Sequence, residues 1–157
     1  MSEPIATVIR QALITDLPGI LALSAQPGMD DGEVLGLDAA TAVFHTMARY
    51  PFYRMYVAEH DGAVVGTYAL LVMENLSHMG ALSAVVEQVL VGPGVQGMGI
   101  GTAMMHHAMD EARAAKCYKL TLSSNIKRID AHKFYDGLGF TRHGLAFRID
   151  LHPEGTA

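Results

Sequence analysis

A single cysteine and no tryptophan occur in the 157 residues of this chain. One thiol cannot close an internal disulfide, so a small stapled extracellular domain is excluded and a reducing cytosol fits. Basic residues are outnumbered, 11 Lys and Arg against 16 Asp and Glu, for a formal net charge of −5. That balance argues against nucleic acid as a partner, because binding a phosphate backbone needs a basic face. No apolar run approaches the ~20 residues of a membrane span. The first residues also lack a basic stretch followed by an apolar one, so secretion is not expected and the reading is cytoplasmic. Nor do the histidines show ligand spacing. His106 and His107 are adjacent on a predicted helix and diverge by about 100°, so no metal is implied. Internal repeats, low-complexity stretches and Pro/Ser linkers are absent as well.

Half of the residues are hydrophobic, which suits one domain over residues 1–157 with a single core. Residues 7–13 alternate as a first strand. Thr15-Asp16 offers a cap for a helix with Pro18 in its opening turn, and Asp38 a cap for a second helix reaching Tyr50. Residues 53–59 and 63–73 read as strands joined by His60-Asp61-Gly62. Residues 84–91 read as a further strand, 102–115 as a helix, 118–122 as a short buried strand and 130–138 as a helix stopped by Gly139. Residues 140–141 and 146–151 are expected to close the sheet. The order implies an α/β fold with a mixed sheet. Loops 26–36 and 74–80 separate these elements.

Between the strand at 84–91 and the helix at 102–115 stand five glycines, Gly92, Gly94, Gly97, Gly99 and Gly101. Glycines crowded at a strand-to-helix turn allow close backbone approach, and the helix start offers unpaired N–H groups that attract phosphate. A tight or mobile turn is the other reading of such a cluster. Three phosphate patterns compete here. Gly92, Gly94 and Gly97 satisfy the dinucleotide fingerprint G-x-G-x-x-G, which would make the chain a nicotinamide-dependent oxidoreductase. That pattern calls for an acid about twenty residues on, at the next strand end. Ser123-Ser124-Asn125 stands there instead. A Walker loop would need a lysine before Thr102, and Gly101 holds that position. Gln96, Gly99 and Gly101 fit the third pattern, Gln/Arg-x-x-Gly-x-Gly/Ala.

This third pattern resembles the acyl-CoA pyrophosphate loop of the GNAT superfamily of N-acetyltransferases. Residues 84–91 resemble the superfamily's fourth strand, with Glu87 where many members carry a glutamate. Asn125 with Phe134-Tyr135 and Leu138-Gly139-Phe140 resembles its Asn…Phe-Tyr…Leu-Gly-Phe signature. Residues 127–132 are similar to bacterial members such as aminoalkylphosphonate N-acetyltransferases, and Cys117-Tyr118-Lys119-Leu120 to glucosamine-phosphate N-acetyltransferases. The likeness covers residues 53–151 well and the first fifty weakly. It implies a mixed, mostly antiparallel sheet flanked by helices, with a central splayed strand pair holding acyl-CoA. It implies acetyl-CoA as acyl donor and an amine as acceptor. The chain's net acidity favours a small-molecule primary amine, a protein N-terminus or lysine being the other acceptor, and a homodimer is the assembly to test. Gln96, Gly97, Met98, Gly99, Ile100, Gly101 and Thr102 would cradle the pyrophosphate. Val89, Leu90 and Val91 would run beside pantetheine, the main chains of Val89 and Val91 pairing with it like an added strand. Asn125 would contact the cofactor from the opposite lip.

Acyl transfer from a thioester to an amine needs a gripped donor, a neutral amine, a stabilised oxyanion and a proton for the departing thiolate. Tyr135 is the candidate acid, since its ordinary pKa near 10 exceeds that of a thiol near 8.5; packing beside Phe134 is its other reading. Glu87 is the candidate base; a solvent-facing or ion-paired strand glutamate is the alternative. With strict alternation only one of Glu87 and Gln88 looks into the cleft. Cys117, at a strand start with no adjacent histidine, reads as a buried free thiol and not an acyl carrier. Met73 and Met79 are candidates to line an acceptor pocket. Asp30, Asp31 and Glu33 would steer a cationic amine, while Arg49 and Arg54 would suit an anionic acceptor. A catalytically degenerate acyl-CoA sensor or interaction module is the rival from another class.

Overall fold

The computed structural model describes residues 6–30 and 32–152. The chain forms two compact units, residues 1–122 and 123–157. The first unit holds β1 (Val8–Gln11), α1 (Leu17–Ser24), α2 (Leu37–Met47), β2 (Tyr53–His60), β3 (Ala63–Met73), β4 (Leu82–Val91), α3 (Ile100–Ala114) and β5 (Cys117–Thr121). Its sheet runs β1-β2-β3-β4-β5. The first three pairings are antiparallel and β4–β5 is parallel. The α/β, mostly antiparallel sheet flanked by helices is therefore the observed fold.

Local chemistry explains both kinds of pairing. Asp61 and Gly62 have φ of 51° and 74°, the two left-handed positions of a two-residue turn whose twist matches that of its strands. His60 and Ala63 close the hairpin on either side. A parallel neighbour cannot be reached by so short a turn, and α3 supplies the crossover from β4 to β5.

Residues 55–58 of β2 and 66–70 of β3 are buried without alternation, because helices cover both faces of the sheet. One face packs Ala12, Leu17, Ile20, Ala40, Met55, Val57 and Ala69 together, with Phe44, Met47 and Tyr53 against them. On the other face α3 buries Ile100, Met104, Met105, Ala108 and Ala112. Both helices meet β3 at glycines. A Cβ on Gly19 of α1 would stand 2.9 Å from Val64 Cβ, and one on Gly66 would stand 3.0 Å from Met104 Sδ. Val64 and Gly66 face opposite ways because a register shift across from Ala58 and Glu59 interrupts the alternation between them.

Several expectations are corrected. Asp16 stands at the N-cap of α1, but its side chain makes no cap bond there. Its carboxylate instead accepts from the Leu13 N–H at 2.7 Å and from Arg10 Nη1 and Nη2 at 2.7 and 2.9 Å. Arg10 also donates to Glu59 Oε2. The bidentate cation holds the Asp16 carboxyl below the usual carboxylate range, against the burial that opposes it. The second helix is capped by Gly36, with Asp38 in its first turn, and ends at Met47. Strand β5 is not buried, and its Tyr118 is exposed, as the strand at the sheet's edge has a neighbour on one side only.

The second unit holds α4 (Ile129–Gly137). Gly139, at φ 90°, turns the chain out of the helix. Residues 140–141 and 146–151 form no strand. Leu145, Phe147, Ile149 and Leu151 alternate with Ala146, Arg148 and Asp150 as a strand would, yet all four apolar side chains are exposed. Alternation reports an amphipathic extended chain and says nothing of a partner strand. Among the described residues no helix is long and apolar enough to cross a membrane.

Candidate active site

Strand β4 runs out at Val91 into the glycine turn. Gly92 has an internal cause: its N–H donates to the Val65 carbonyl at 2.8 Å, and a Cβ would stand 3.3 Å from that oxygen. Gly97 and Gly99 take φ of 80° and 81°, which a residue with a Cβ adopts at a cost of roughly 1–2 kcal/mol. At Gly94, Gly97 and Gly99 a Cβ would meet nothing within 4 Å, so no packing inside the chain asks for glycine there. Gly99 is the N-cap of α3 and offers no side-chain cap. The first N–H groups of a helix have no partner within it. Ile100 is 2 % exposed, so its side chain anchors the turn in the core while its amide faces the helix start. Gln96, Gly97 and Met98 are exposed.

The pairing of β4 with β5 ends at Val85↔Thr121. From Val86 to Val91 the edge of β4 away from β3 has no strand neighbour among the described residues, and this is the splayed pair. Backbone groups alternate in direction along a strand. Since the Gly92 N–H points to β3, those of Val91 and, by the same alternation, Val89 point to the open edge. Leu90 pairs with Thr67 and spends its backbone groups on the sheet. The Val91 carbonyl already accepts from Gln26 Nε2 at 3.3 Å, a contact that sequence reading missed.

Next along β4 comes an irregularity. Ala69 pairs with Glu87 and Thr67 with Leu90, so Gln88 and Val89 together oppose Tyr68. Gln88 takes φ 55°, a left-handed conformation uncommon for a glutamine. The bulge corrects the alternation argument: Glu87 and Gln88 are both exposed. Glu87 lies across the ladder from Ala69 and Met55, in the row of the α1/α2 face. Burial, and then the charge of Glu87, push the Tyr53 hydroxyl up. Beside Tyr53 lies a pocket of about 160 Å³ whose lining includes Phe44, Met47, Tyr50, Tyr53 and Met55. Met73 and Met79 are not among its lining residues.

Under the bulge, on the α3 face, runs a polar cluster. The Tyr56 and Tyr68 rings stack at 5.1 Å. Tyr56 donates to Glu111 Oε2 at 2.9 Å, and the Tyr68 hydroxyl meets His107 Nδ1 at 2.7 Å. Burial pushes the Tyr56 hydroxyl up to about 12 and that of Tyr68 higher still. Consecutive His106 and His107 thus diverge as expected. Among the described residues no three or more His, Cys, Asp or Glu side chains converge to hold a metal ion.

Within the second unit, Tyr135 packs its ring 5.1 Å from Phe134 and edge-on to Phe140 at 5.7 Å. Burial raises its hydroxyl, with Arg128 opposing. The Asn125 side chain accepts from the Lys127 N–H at 2.9 Å and its carbonyl from Arg128, so it shapes the turn into α4. Ser124, beside it, buries a hydroxyl that has no hydrogen-bond partner among the described residues. Cys117 is half-buried, and burial pushes its thiol up. Asp30 and Glu33 are exposed, whereas Asp31 lies outside the described residues. The Arg54 guanidinium stacks on Phe52, 4.1 Å from the ring centre.

Comparison with known proteins gives a consistent answer. The acetyltransferase (GNAT) family model matches residues 24–140. The chain is 30% identical over 98 residues to a glucosamine 6-phosphate N-acetyltransferase of Trypanosoma brucei brucei, covering 62% of this chain and 65% of that one. It is 36% identical over 95 residues to an aminoalkylphosphonate N-acetyltransferase of Salmonella typhimurium, covering 60% of each. The match thus spans less than two thirds of either relative. Among solved structures, a putative acetyltransferase from Agrobacterium tumefaciens superposes with a TM-score of 0.84 at 32% identity, over 91% of this chain and 99% of that one.

Proposed function

The chain belongs to the acetyltransferase (GNAT) family, and from that premise we propose that it transfers an acetyl group from acetyl-CoA to a primary amine of a small molecule, by direct attack in a ternary complex. One observation carries the reading: the unpaired edge of β4 leads into a glycine turn whose following helix begins without a side-chain cap.

In this reading the N–H groups from Gly97 to Thr102 hold the pyrophosphate, since a helix start and its preceding turn supply donors and positive potential without a lysine. Val89 and Val91 offer backbone partners to pantetheine, Gln26 releasing the Val91 carbonyl as they do so. Glu87 takes the proton of the incoming ammonium, and the bulge beside it turns β4 out of regular pairing, as bulges do next to reacting groups. Tyr135 returns a proton to the departing thiolate. Direct attack is favoured over an acyl-cysteine because burial raises the Cys117 thiol and leaves little thiolate near neutrality.

Calorimetric titration of acetyl-CoA into the intact chain tests the premise. The wild type should bind, and Gly99→Val should not, because valine forbids the left-handed turn and fills the space beside it. Equal affinity in the two proteins, or binding of NADH in place of acetyl-CoA, overturns the proposal.

A further inference from the structure

The acceptor's chemistry is open, and the pocket between α2 and the start of β2 bears on it. We infer that this pocket receives one ring-sized apolar group of the acceptor, so that the substrates are aryl- or cycloalkyl-bearing primary amines. The inference rests on the acetyltransferase reading and adds the substrate class to it.

Size comes first. The pocket has about 160 Å³, and an apolar protein cavity of roughly 150 Å³ takes up one benzene. One ring is of that size, and because the pocket opens to solvent a larger acceptor would seat a single group there and leave the rest outside. Lining chemistry comes second. Phe44 and Met47 of α2, the exposed Tyr50, and Tyr53 and Met55 of β2 line it together with Gln11 at the end of β1, and Tyr50 meets Tyr53 edge-on at 5.7 Å. Such faces and edges suit a further ring. Arg54 is the one cationic residue of the lining. Its side chain points to the opposite face from Tyr53 and Met55 by strand alternation, and there it stacks on Phe52 and interacts with Tyr56. Arg49, in the turn just past α2, is exposed and donates from Nη2 to Thr46 Oγ1 at 3.4 Å. Among the described residues, an anionic head group would therefore find no free cation in the pocket.

Reach comes third. Met55, Ala69 and Glu87 form one row across β2, β3 and β4. Two strand spacings separate Met55 from Glu87, roughly 10 Å. A ring seated beside Tyr53 and Met55 and joined to its nitrogen by one or two carbons brings that nitrogen toward the Glu87 side chain, whose own length closes the remainder.

The test measures thiol release with ethylamine, butylamine, cyclohexylmethylamine, benzylamine, 2-phenylethylamine, aminomethylphosphonate and glucosamine 6-phosphate. Ring amines should exceed ethylamine in kcat/KM by about 30-fold, since even one buried methylene discriminates by 10-fold or more. Ala48→Phe, at an exposed position of the lining, should bring that ratio close to one. Met47→Ala should move the preference toward a naphthyl amine, a gain that a merely damaged protein cannot produce. A second readout needs no turnover: the ¹⁹F signal of 2-(4-fluorophenyl)ethylamine should broaden with wild type and stay sharp with Ala48→Phe. Equal turnover of all amines, or preference for the phosphorus-bearing ones, overturns the ring inference and leaves acetyl transfer standing. If no amine is acetylated and acetyl-CoA does not bind, the acetyltransferase reading falls, and an unbroadened ¹⁹F signal then overturns the pocket assignment independently.

Discussion

The Tyr68 hydroxyl lies 2.7 Å from His107 Nδ1, and Tyr68 is the β3 residue that faces the two-residue bulge of β4. Tyr68 is fully buried, so removing its hydroxyl strips a partner from a group that water does not reach readily. Tyr68→Phe keeps the stack on Tyr56 and should cost about 1–2 kcal/mol, read from urea denaturation with an unchanged slope. A loss of a few tenths would mean that the hydrogen bond is replaced by solvent.

Tyr135→Phe tests the proposed acid. The ring contacts with Phe134 and Phe140 survive the change, so acetyl-CoA affinity should hold while kcat falls by roughly 10²–10⁴. Because burial raises this hydroxyl above its ordinary 10.0, any basic limb it sets lies above about pH 10 and should vanish in the variant. A change in kcat under about threefold returns Tyr135 to a packing role.

Glu87→Gln should depress the rate most near neutrality, where the acceptor is an ammonium that must lose its proton. Activity should recover in part at high pH, where free amine is abundant. Measurement of kcat/KM from pH 6 to 10 decides the matter, and a profile parallel to wild type removes Glu87 from the chemistry.

Acid sensitivity should trace to Asp16. Its carboxyl titrates below the ordinary range in the folded chain because Arg10 holds it, so the unfolded chain takes up the proton first. The stability it contributes is therefore complete above about pH 4 and is lost as pH falls through the folded value. Arg10→Met leaves a buried carboxylate unpaired and should cost on the order of 3 kcal/mol near neutrality. Urea midpoints from pH 2 to 7 should show that difference shrinking as Asp16 becomes protonated. A constant offset at all pH values would point to lost packing alone.

What was legible depended on how local the cause is. Asp61-Gly62 announces its hairpin, and the glycines before α3 announce their turn, because each conformation is written in the residues that adopt it. The bulge is not legible, since glutamine at position 88 carries no mark of a left-handed φ. Asp16 reads as a cap until Arg10 competes for it, and that contest depends on Glu59, 49 residues away from Arg10. The pocket escapes for the same reason: Phe44, Tyr50 and Tyr53 look like core residues until the helix and strand meet around a gap. For residues 145–151 the alternation is real and the partner strand is absent from the pattern.

Gly19 and Gly66 let two helices close on β3 from opposite sides, while β2 and β4 bond it along both edges. Opening β3 means lifting every layer at once. The sheet must therefore breathe from its margins: from the four residues of β1, and from the stretch of β4 past Val85, where no β5 neighbour holds it. The open stretch of β4 thus lies beside the best-held strand of the sheet, and the acyl-CoA of the proposed function, paired along that stretch, would quieten it.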